Sequence, residues 1–477
     1  MPSGHASGPA SGTVRVHRAS VAVRGPPGAG EALRAHCPYT DGPDRRDGRA
    51  GMHYDIVVIG GGAGGLELAA RLGRKLGRTA GRERVLLVDR SVFHIWKPTL
   101  HEVAAGTLDA HQEGLSYMIL ARRNHFSFTL GDLSGFDAVN KRITLAELLD
   151  DDGKVLVPAR TISFTRAVLA LGSGSNFFGT QGAAEHAWVL ERASDAERFQ
   201  RHLLGAFTRA AFSEHRSLGV AIVGGGATGV ELSAELLEAH ALLLEGFGAE
   251  QRFRLDITIV EAAPRILSAL PEKISTQATL ALERKGVRVL TTTPVTEVRA
   301  DALVTKDGEV RADIIVWAAG IKAAEGNANF GLATNRLHQF VVDARLRTSA
   351  TDVYALGDCA ACPWGDGVVP ARAQAAHQQA AYLARVLLAA LRERTVEEDY
   401  VYRDFGSLVS LGEKRGVGSL MGGLGGPNFF IEGLVAKWAY MSLHLDHHRA
   451  IMGTRNTIVL ALARLLQRRV SGRLKLH

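Results

Sequence analysis

The sequence predicts an α/β fold made of two similar strand–turn–helix units and a separate C-terminal module. Between residue 54 and about residue 400, apolar strand-like runs alternate with helical stretches, which is the pattern of an α/β fold. A turn of the form Gly-Gly-Gly-Ala-x-Gly occurs twice, each time after an apolar run and before an Ala/Leu-rich stretch. Since 477 residues exceed what one hydrophobic core usually organises, more than one domain is expected.

The first glycine turn follows the apolar run at residues 56–59 and contains Gly60, Gly62 and Gly65. In this spacing the first glycine permits a tight turn, the second lets backbone N–H groups approach a pyrophosphate, and the third lets helix and strand pack closely. Asp89 ends the next apolar run, where a carboxylate can accept hydrogen bonds from ribose hydroxyls. One such match alone also fits a purely structural turn, whereas its repetition favours dinucleotide binding.

The second turn contains Gly224, Gly226 and Gly229, and Glu261 ends the apolar run that follows it. The two turns together predict two dinucleotides bound by two Rossmann-like domains. The Glu261 carboxylate repels a 2′-phosphate, which favours NADH over NADPH, although the nearby Arg265 leaves NADPH open.

Two later positions indicate which turn binds a flavin. Gly172 lies in an Ala-Leu-Gly-Ser sequence, and Asp358 belongs to a Gly-Asp pair after the apolar run at 353–356. In flavoproteins with two dinucleotides, such an aspartate returns to the first domain and lies against the ribityl and pyrophosphate groups of FAD. The alternative is a helix N-cap aspartate. We therefore expect FAD at the first turn and NADH at the second.

The C-terminal segment from residue 434 onward is strongly basic. It contains eight Lys and Arg residues against Asp446 as its single acidic residue, so it accounts for the whole formal net charge of +7. An anionic partner, either a membrane or a nucleic acid, is therefore expected. Because no nucleic-acid-binding module is recognisable, we expect no nucleic acid.

The same segment indicates attachment to a membrane without crossing it. No run approaches the roughly 18 to 20 apolar residues of a spanning helix. The apolar run at 457–463 is bounded by Arg455 and Arg464, and Trp438 and Tyr440 lie near a lysine. This mixture is typical of a helix in the lipid headgroup region. The alternative is a helix docked on its own protein or on a second subunit, which leaves a homodimer open.

These observations predict five segments. They are a disordered extension at 1–51, an FAD-binding domain in two parts at 52–185 and 336–400, an inserted NADH-binding domain at 186–335, and a membrane-associating module at 401–477. The extension is rich in Gly, Pro, Ala and Arg and lacks apolar periodicity. Met52 directly precedes the first predicted strand, so starts of translation at Met1 and at Met52 both remain open.

The chain has three cysteines, too few for a disulfide framework, and no segment has the form of a secretory signal, so a reducing, cytoplasmic setting is expected. Cys359 and Cys362 form a C-x-x-C pair that could act as a redox disulfide or bind a metal with His444, His447 and His448. The pair follows the aspartate that we assign to the ribityl group, and no second pair completes a tetrahedral set. We therefore expect neither role, and no metal.

From residue 54 to its end the chain resembles the type II, non-proton-pumping NADH:quinone oxidoreductases, the respiratory NADH dehydrogenases of bacteria. The stretches that carry the resemblance are residues 94–103, 224–236, 316–322, 373–378 and 473–477. The resemblance implies a flavoprotein that passes two electrons from NADH through FAD to a membrane quinone and feeds the respiratory chain without pumping protons. It also implies a peripheral enzyme on the cytoplasmic face of the inner (plasma) membrane.

The resemblance further implies roles on the NADH side of the reaction. Glu231 matches a glutamate that lies between nicotinamide and flavin, where a carboxylate takes part in proton movement. Without the resemblance, Glu231 would be interpreted as a glutamate on a helix surface. Lys97 matches a loop near the flavin and is expected to position groups there, and Gly320 matches a residue of the NADH site.

Other implied roles concern the acceptor. The pattern Ala-Gln-x-Ala-x-Gln at 373–378 resembles the quinone-site motif of the family, in which Gln374 and Gln378 bind quinone and Ala376 lies beside FAD. Without the resemblance, this pattern would be interpreted as an ordinary polar helix start.

Two other functions fit the same fold. An NADH-dependent reductase of a soluble disulfide or iron–sulfur protein would differ only in its acceptor. A membrane-bound protein that senses nucleotides, as in flavoproteins similar to apoptosis-inducing factor, would form a long-lived reduced complex that quinone fails to reoxidise.

Overall fold

The structure is a computed structural model that describes residues 52–412, 416–420 and 429–470. The predicted disordered extension at 1–51 and the matching stretch at 473–477 lie outside the described residues. Within the described residues, strands and helices alternate around the two glycine turns, as the sequence predicts, whereas residues 127–175 and 288–322 form runs of consecutive strands that the predicted alternation did not include.

The first group of elements extends to residue 186. Its strands are β1 (His53–Ile59), β2 (Val85–Asp89), β3 (Phe93–His94), β4 (Leu115–Ser116), β5 (Ser127–Leu130), β6 (Leu133–Asp137), β7 (Arg142–Leu145), β8 (Leu148–Leu149), β9 (Val155–Val157), β10 (Arg160–Leu169) and β11 (Gly174–Ser175). Its helices are α1 (Ala63–Leu76), α2 (Arg78–Arg84), α3 (Leu100–Ala105), α4 (Ala110–Glu113), α5 (Tyr117–Asn124) and α6 (Ala183–His186).

The second group begins at residue 193. Its helices are α7 (Ala193–Phe212), α8 (Ala227–Gly246) and α9 (Glu272–Arg284). Its strands are β12 (Ser217–Val223), β13 (Arg254–Val260), β14 (Arg288–Leu290), β15 (Val295–Val298), β16 (Ala302–Thr305), β17 (Gly308–Arg311), β18 (Ile314–Trp317) and β19 (Ile321–Lys322).

The remaining elements begin at residue 340. They are β20 (Phe340–Val341), β21 (Val353–Ala355), β22 (Ala360–Ala361), β23 (Pro363–Trp364), β24 (Gly367–Val368), α10 (Ala373–Ala390), β25 (Gly406–Ser410), β26 (Gly416–Leu420), β27 (Phe429–Glu432), α11 (Gly433–Met452) and α12 (Thr454–Val470).

The first sheet is built around β1. Strands β5, β2, β1 and β10 lie side by side in this order and run parallel, and β21 joins the carboxyl half of β10. The apolar residues 56–59 of β1 are buried, as expected for a central strand of a parallel sheet covered on both faces. Strands β7 and β6 extend the sheet in antiparallel fashion.

The second sheet repeats this arrangement. Strands β14, β13, β12 and β18 lie in this order and run parallel, so β12 occupies the place that β1 has in the first sheet. Strands β15 to β17 form a separate antiparallel sheet. Because β21 returns to the first sheet, the segment that forms the second sheet is inserted, in sequence, between two segments that both contribute strands to the first sheet. These two similar units are the α/β fold that the sequence predicts.

Helix α3 connects the two units. Although it belongs to the first group of elements, its apolar residues Leu100 and Val103 are buried in one cluster with α7 and α8 of the second group. The segment that leads into α3 is thereby held beside the start of α8.

The C-terminal segment differs from the rest. Strands β25, β26 and β27 form an antiparallel sheet, and Gly453, with φ +80°, separates α11 from α12. Helix α11 packs against α1 and α5, and the Asn124 side-chain amide donates to the carbonyl of the fully buried Ile451 at 2.8 Å. Among the described helices, none combines the length and the apolar character needed to cross a bilayer. Association of this module with a membrane stays a prediction.

Candidate functional site

The first glycine turn has the backbone geometry that a dinucleotide requires. Gly60 has φ +103°, and a Cβ placed there would lie 2.2 Å from the Ala170 carbonyl oxygen. A Cβ at Gly65 would lie 1.9 Å from the Gly60 carbonyl oxygen, so the third glycine lets α1 pack against the turn. In contrast, a Cβ at Gly62 would meet no atom within 4 Å. The turn therefore leaves open space at the N-terminus of α1, where a pyrophosphate fits.

The second turn has the same geometry. Gly224 has φ +106°, and its Cβ would lie 2.7 Å from the Ala319 backbone nitrogen. A Cβ at Gly229 would lie 2.0 Å from the Gly224 carbonyl oxygen, whereas Gly226 again faces open space. The repeat in the sequence is therefore also a repeat of backbone geometry.

The two predicted ribose-binding carboxylates also have matching contacts. Asp89 accepts hydrogen bonds from the backbone N–H groups of Gly61 and Ser91, at 2.6 and 2.8 Å. Glu261 accepts them from Gly225 and Ala263, at 2.6 and 2.7 Å. Each carboxylate fixes the middle of its glycine turn, and because a carboxylate has about four lone-pair positions, it can still accept from ribose hydroxyls. Burial raises the pKa of Asp89 above its ordinary value.

One cleft of about 1370 Å³ connects the two units. Most of the predicted site residues line it, namely Gly60, Gly62, Gly65, Asp89, Lys97, Gly172, Gly226, Glu231, Asp358, Gln374 and Ala376. The other predicted residues do not line it, namely Gly224, Gly229, Glu261, Gly320 and Gln378. The cleft thus joins the first turn, the start of α8 and the start of α10.

Hydrogen bonds to Ser173, which follows the predicted Gly172, connect the predicted flavin-side residues Lys97 and Asp358. The Ser173 hydroxyl donates to the Asp358 carboxylate at 2.8 Å, and the Lys97 ammonium donates to the Ser173 carbonyl at 2.8 Å. The Gly357 backbone N–H donates to the Gln379 side chain at 2.7 Å. Lys97 therefore holds the loop that follows β10, which suits the positioning role expected for it.

Glu231, on α8 of the second unit, lines the cleft and is buried. One carboxylate oxygen accepts from the Ser410 backbone N–H at 3.0 Å, and the other lies 3.6 Å from Nδ1 of His101. Burial, together with the neighbouring carboxylates of Glu102 and Glu235, raises the pKa of Glu231 to about 8. Glu231 is therefore protonated at neutral pH and can hold a proton at this position.

His101 was not singled out from the sequence, although it belongs to the matching stretch 94–103. Its ring is buried and lines the cleft, and burial lowers the pKa of His101 to about 4. Its contact with Glu231 depends on the packing of α3 against α8, which no local pattern signals.

The two glutamines of the 373–378 motif hold the segment that follows α10. The Gln374 amide group donates to the Gly406 carbonyl at 3.0 Å and its oxygen accepts from the Phe405 N–H at 3.2 Å. Gln378 donates to the Arg403 carbonyl and accepts from the Arg403 N–H, at 2.8 and 3.0 Å. Gln374 lines the cleft and Gln378 does not, so the two residues differ in their access to a ligand.

A buried ion pair connects the same motif to α1. The Glu67 carboxylate is fully buried, and His377 lies 2.8 Å from one of its oxygens while Arg71 lies at the other. The hydrogen bond to Glu67 raises the pKa of His377. The sequence repeat could have indicated this position, because Glu67 occupies in the first turn the place that Glu231 occupies in the second.

The cysteine pair lies in the core. Both Cys359 and Cys362 are buried, and neither is among the residues that line the cleft. Burial raises the pKa of Cys359 to about 11 and that of Cys362 to about 12, which keeps both as unreactive thiols at neutral pH.

Comparison with known proteins identifies the family. Residues 54–380 match the model of the pyridine nucleotide-disulphide oxidoreductases. The chain is 40% identical to the type II NADH:quinone oxidoreductase of Haemophilus influenzae, over 89% of this chain and 100% of the relative. It is 28% identical to the enzyme of the same name from Staphylococcus aureus, over 77% of this chain and 90% of the relative.

A solved structure agrees in fold. The structure of NDH2 from Plasmodium falciparum in complex with NADH superimposes with a TM-score of 0.73 at 17% identity, covering 88% of this chain and 99% of the other. Since the bacterial relative is matched over its whole length at 40% identity, the chain belongs to the type II NADH:quinone oxidoreductases.

Proposed function

We propose that this protein oxidises NADH and reduces a membrane quinone, with FAD bound at the first glycine turn. The observation that carries this proposal is the single cleft in which the first turn, Asp358, Glu231 and Gln374 all lie. Its volume of about 1370 Å³ exceeds the roughly 300 to 1,000 Å³ of common small-ligand pockets, as a site for a dinucleotide and a second reactant should.

The residues of the first unit fit FAD. Gly62 leaves space for the pyrophosphate, Asp89 is available to a ribose, and Asp358 with Gly172 lies farther along the cleft, where the ribityl group is expected. Ala376 packs against Gly64 of α1, which keeps the start of α10 beside the same space. FAD held by these residues would supply the two-electron redox chemistry between NADH and quinone.

The second unit binds NADH in this proposal. Gly226 opens space for the pyrophosphate at the N-terminus of α8, and the Glu261 carboxylate, which accepts from the Gly225 N–H of the same turn, would accept from the ribose. A carboxylate at this position disfavours a 2′-phosphate, which makes NADH the preferred donor. Gly320 has φ +65° and follows β18 of the same sheet, outside the cleft lining, so its expected part in the NADH site stays a prediction.

Glu231 acts as a proton-holding residue between the two sites. Oxidation of one NADH and full reduction of one quinone take up one proton from the solvent. A buried carboxyl group with a pKa of about 8 is protonated at neutral pH and stands close to its own pKa, which suits proton transfer. Ser410 fixes the orientation of this carboxyl group.

Quinone reaches the start of α10 in this proposal. Gln374 lines the cleft beside the residues 405–409, and its amide group is held in place by Gly406 and Phe405. A quinone carbonyl that forms a hydrogen bond with the Gln374 amide group would replace one of these two backbone partners. Gln378 supports the same segment through Arg403.

The lipid surface is bound by α12. Four side chains on this helix are more than half exposed and apolar, namely Ile458, Val459, Leu462 and Leu466. Met118 and Ile119 of α5 are also exposed, and Arg464 of α12 pairs with Glu113 at the end of α4. Both helices also carry exposed basic residues, Arg122 and Arg123 on α5 and Arg455 on α12. An apolar surface with a basic rim fits an anionic bilayer.

These features support a peripheral enzyme on the cytoplasmic face of the inner membrane, where NADH and quinone are both accessible. It transfers electrons into the respiratory chain without itself moving protons across the membrane. Pairing of two chains through the C-terminal module is compatible with this arrangement.

An anaerobic two-step experiment tests the function. NADH is added to the FAD-loaded protein, the loss of the oxidised flavin absorbance is followed, and a short-chain quinone is then added. Rapid recovery of the absorbance supports NADH:quinone oxidoreductase activity. Reduction without recovery by quinone would contradict it and indicate a protein acceptor, whereas failure of NADH to reduce the flavin would contradict the donor assignment.

A further inference from the structure

A pair of buried histidines links the C-terminal helix α11 to the first glycine turn. Nδ1 of His94 lies 3.0 Å from the Gly61 carbonyl oxygen, and Nε2 of His94 lies 2.8 Å from Nε2 of His447 on α11. Both rings are almost completely buried, His94 with 4% and His447 with 7% of its surface exposed. Neither contact is used by the mechanism described above.

The direction of these hydrogen bonds follows from the chemistry of the groups. A carbonyl oxygen only accepts, so Nδ1 of His94 carries the hydrogen and donates to Gly61. Burial lowers the pKa of His94 to about 4 and the pKa of His447 well below its ordinary value, so both rings are neutral at neutral pH. Nε2 of a neutral His94 then holds a lone pair, and the N–H at Nε2 of His447 must donate to it.

The chain of hydrogen bonds continues into the dinucleotide site. The Gly61 carbonyl also accepts from the Tyr117 hydroxyl at 2.6 Å, and the Gly61 N–H donates to Asp89 at 2.6 Å. Gly61 stands between the glycine of the tight turn and the glycine that faces the pyrophosphate. The contacts of His94, Tyr117 and Asp89 therefore set the orientation of the two peptide groups that carry the N–H and the carbonyl of Gly61.

Two further contacts show that α11 docks on the same region. The rings of Trp96 and His444 stack with centroids 4.8 Å apart and planes 6° apart. Asn124 at the end of α5 donates to the Ile451 carbonyl in the last turn of α11. The segment at 93–96, which follows the Asp89 strand, is thus held between the glycine turn and α11.

We propose that His94 and His447 are positioning residues that couple the docking of α11 to the binding of FAD. With α11 docked, the His447 N–H fixes the ring of His94, and His94 fixes the Gly61 peptide that borders the pyrophosphate. Coupling between two binding events is reciprocal, so bound FAD also stabilises the docked position of α11 by the same factor. This inference rests on the proposed function, which assigns FAD to the first turn.

The test compares four variants of the full-length chain, freed of flavin and then titrated with FAD. His447→Leu removes the donor, and His447→Gln keeps an N–H at the corresponding position. His94→Asn keeps the donor to Gly61 but lacks the acceptor for His447. His240→Leu, at a half-buried histidine that contacts the Phe253 carbonyl in the second unit, is the matched control.

Two quantities are measured, the dissociation constant of FAD by fluorescence quenching and the hydrogen exchange of amides 433–452 with and without FAD. We expect His447→Leu and His94→Asn each to weaken FAD binding about tenfold, within the usual range of coupling between sites. The wild-type chain should show slower exchange in α11 when FAD binds, and His447→Leu should lose this effect. His447→Gln and His240→Leu should stay close to wild type.

The outcomes separate this inference from the proposed function. If the wild-type chain binds FAD but His447→Leu and His94→Asn bind it equally well, the coupling is wrong and the cofactor assignment stands. Unchanged exchange of α11 upon FAD binding would overturn the coupling in the same way. If the wild-type chain fails to bind FAD, both the proposed function and this inference are wrong.

Discussion

Glu231 and Ser410 are joined by a hydrogen bond of 3.0 Å from the Ser410 backbone N–H to the Glu231 carboxylate. Glu231 follows the second glycine turn on α8, whereas Ser410 ends β25 of the C-terminal segment. The contact therefore brings C-terminal backbone to the part of the cleft where NADH and flavin are proposed to meet. It also orients a carboxyl group whose pKa is raised to about 8 by burial.

Replacing Glu231 with Gln should change the pH dependence of stability. An unfolded glutamate loses its proton near pH 4.5, but folded Glu231 keeps it up to about pH 8. Between these values the unfolded state binds fewer protons, so Glu231 lowers stability as pH rises, and its full cost is present above pH 8. At pH 9 we expect Glu231→Gln to be more stable than wild type by up to about 5 kcal/mol, at about 1.4 kcal/mol for each unit of pKa shift.

Thermal unfolding at pH 5 and pH 9 in the presence of FAD measures this effect, with Glu283→Gln on the exposed face of α9 as the control. Glu231→Gln should also reduce the rate of flavin reduction by NADH. It should remove the inflection near pH 8 from the pH dependence of that rate. A variant whose stability falls between pH 5 and pH 9 as much as that of wild type would show that Glu231 is charged at neutral pH.

The substitutions Gly62→Ala and Gly226→Ala should each impair a different cofactor site. Both positions face open space, so a methyl group leaves the fold intact but occupies the place of a pyrophosphate. We expect Gly62→Ala to be purified with little FAD, and Gly226→Ala to retain FAD while its KM for NADH rises about tenfold or more. Flavin content and steady-state kinetics measure these outcomes, and loss of FAD from Gly226→Ala alone would reverse the assignment.

Gly65→Ala is the matched control for this pair. Its Cβ would lie 1.9 Å from the Gly60 carbonyl, so the turn itself must shift. We expect a loss of about 1 to 3 kcal/mol in the free energy of unfolding of the flavin-free protein, as for other overpacked sites. Equal stability of Gly62→Ala and Gly65→Ala would contradict the difference in space that the two positions show.

Alanine at Gln374 should impair the quinone step more than the NADH step. The change removes contacts to Gly406 and Phe405 at the cleft wall and any bond to a quinone carbonyl. Loss of a hydrogen bond of about 1.4 kcal/mol corresponds to a rate about tenfold lower. Stopped-flow measurement of both half-reactions tests this, and equal losses at both steps would remove the quinone role.

Gln378→Ala serves as the comparison for Gln374. It removes two contacts to the Arg403 backbone but lies outside the cleft lining. We expect lower thermal stability without a selective loss of the quinone step. A selective loss in this variant would assign quinone contact to Gln378 as well.

The double substitution Leu462→Asp and Leu466→Asp on α12 should weaken membrane binding. Leu462 and Leu466 are 56% and 65% exposed and lie one turn apart. Burial of a leucine side chain contributes about 1.5 to 3 kcal/mol, so the double variant should bind vesicles of anionic lipid at least about tenfold more weakly. Leu280→Asp on α9 is the control, and reduction of a water-soluble quinone should persist. Unchanged sedimentation with vesicles would contradict a lipid-facing α12.

The parts of the site that were predictable are those encoded locally. The glycine spacing and the acidic residues Asp89 and Glu261 act within one strand–turn–helix unit, so their places follow from the sequence pattern. The contact between His94 and His447 joins positions 353 residues apart and depends on how α11 packs. No periodicity or spacing signals such a contact, although both residues were visible in the sequence.

The role of the glutamine motif shows a different limit. The resemblance implies that Gln374 and Gln378 bind quinone, and the structure shows each side chain bonded to backbone between 403 and 406. These contacts form because residues 403–406, which follow α10, lie beside the start of that helix. The sequence pattern does not show where this segment lies. Similarly, the repeat of Glu67 and Glu231 was visible, while the partner His377 became apparent only from the packing of α10 on α1.

Buried histidines should make the protein sensitive to mild acid. Burial, together with nearby Arg464, lowers the pKa of His448 to about 4, whereas an unfolded histidine titrates near 6.5. The stabilising contribution of neutral His448 is therefore complete above pH 6.5 and is lost as pH falls toward 4, by about 1.4 kcal/mol per pH unit. We expect His448→Gln to lose less thermal stability than wild type between pH 7.5 and pH 5, with exposed His215→Gln as the control. Equal losses in all three proteins would mean that the pKa of His448 in the folded state lies close to its value in the unfolded state.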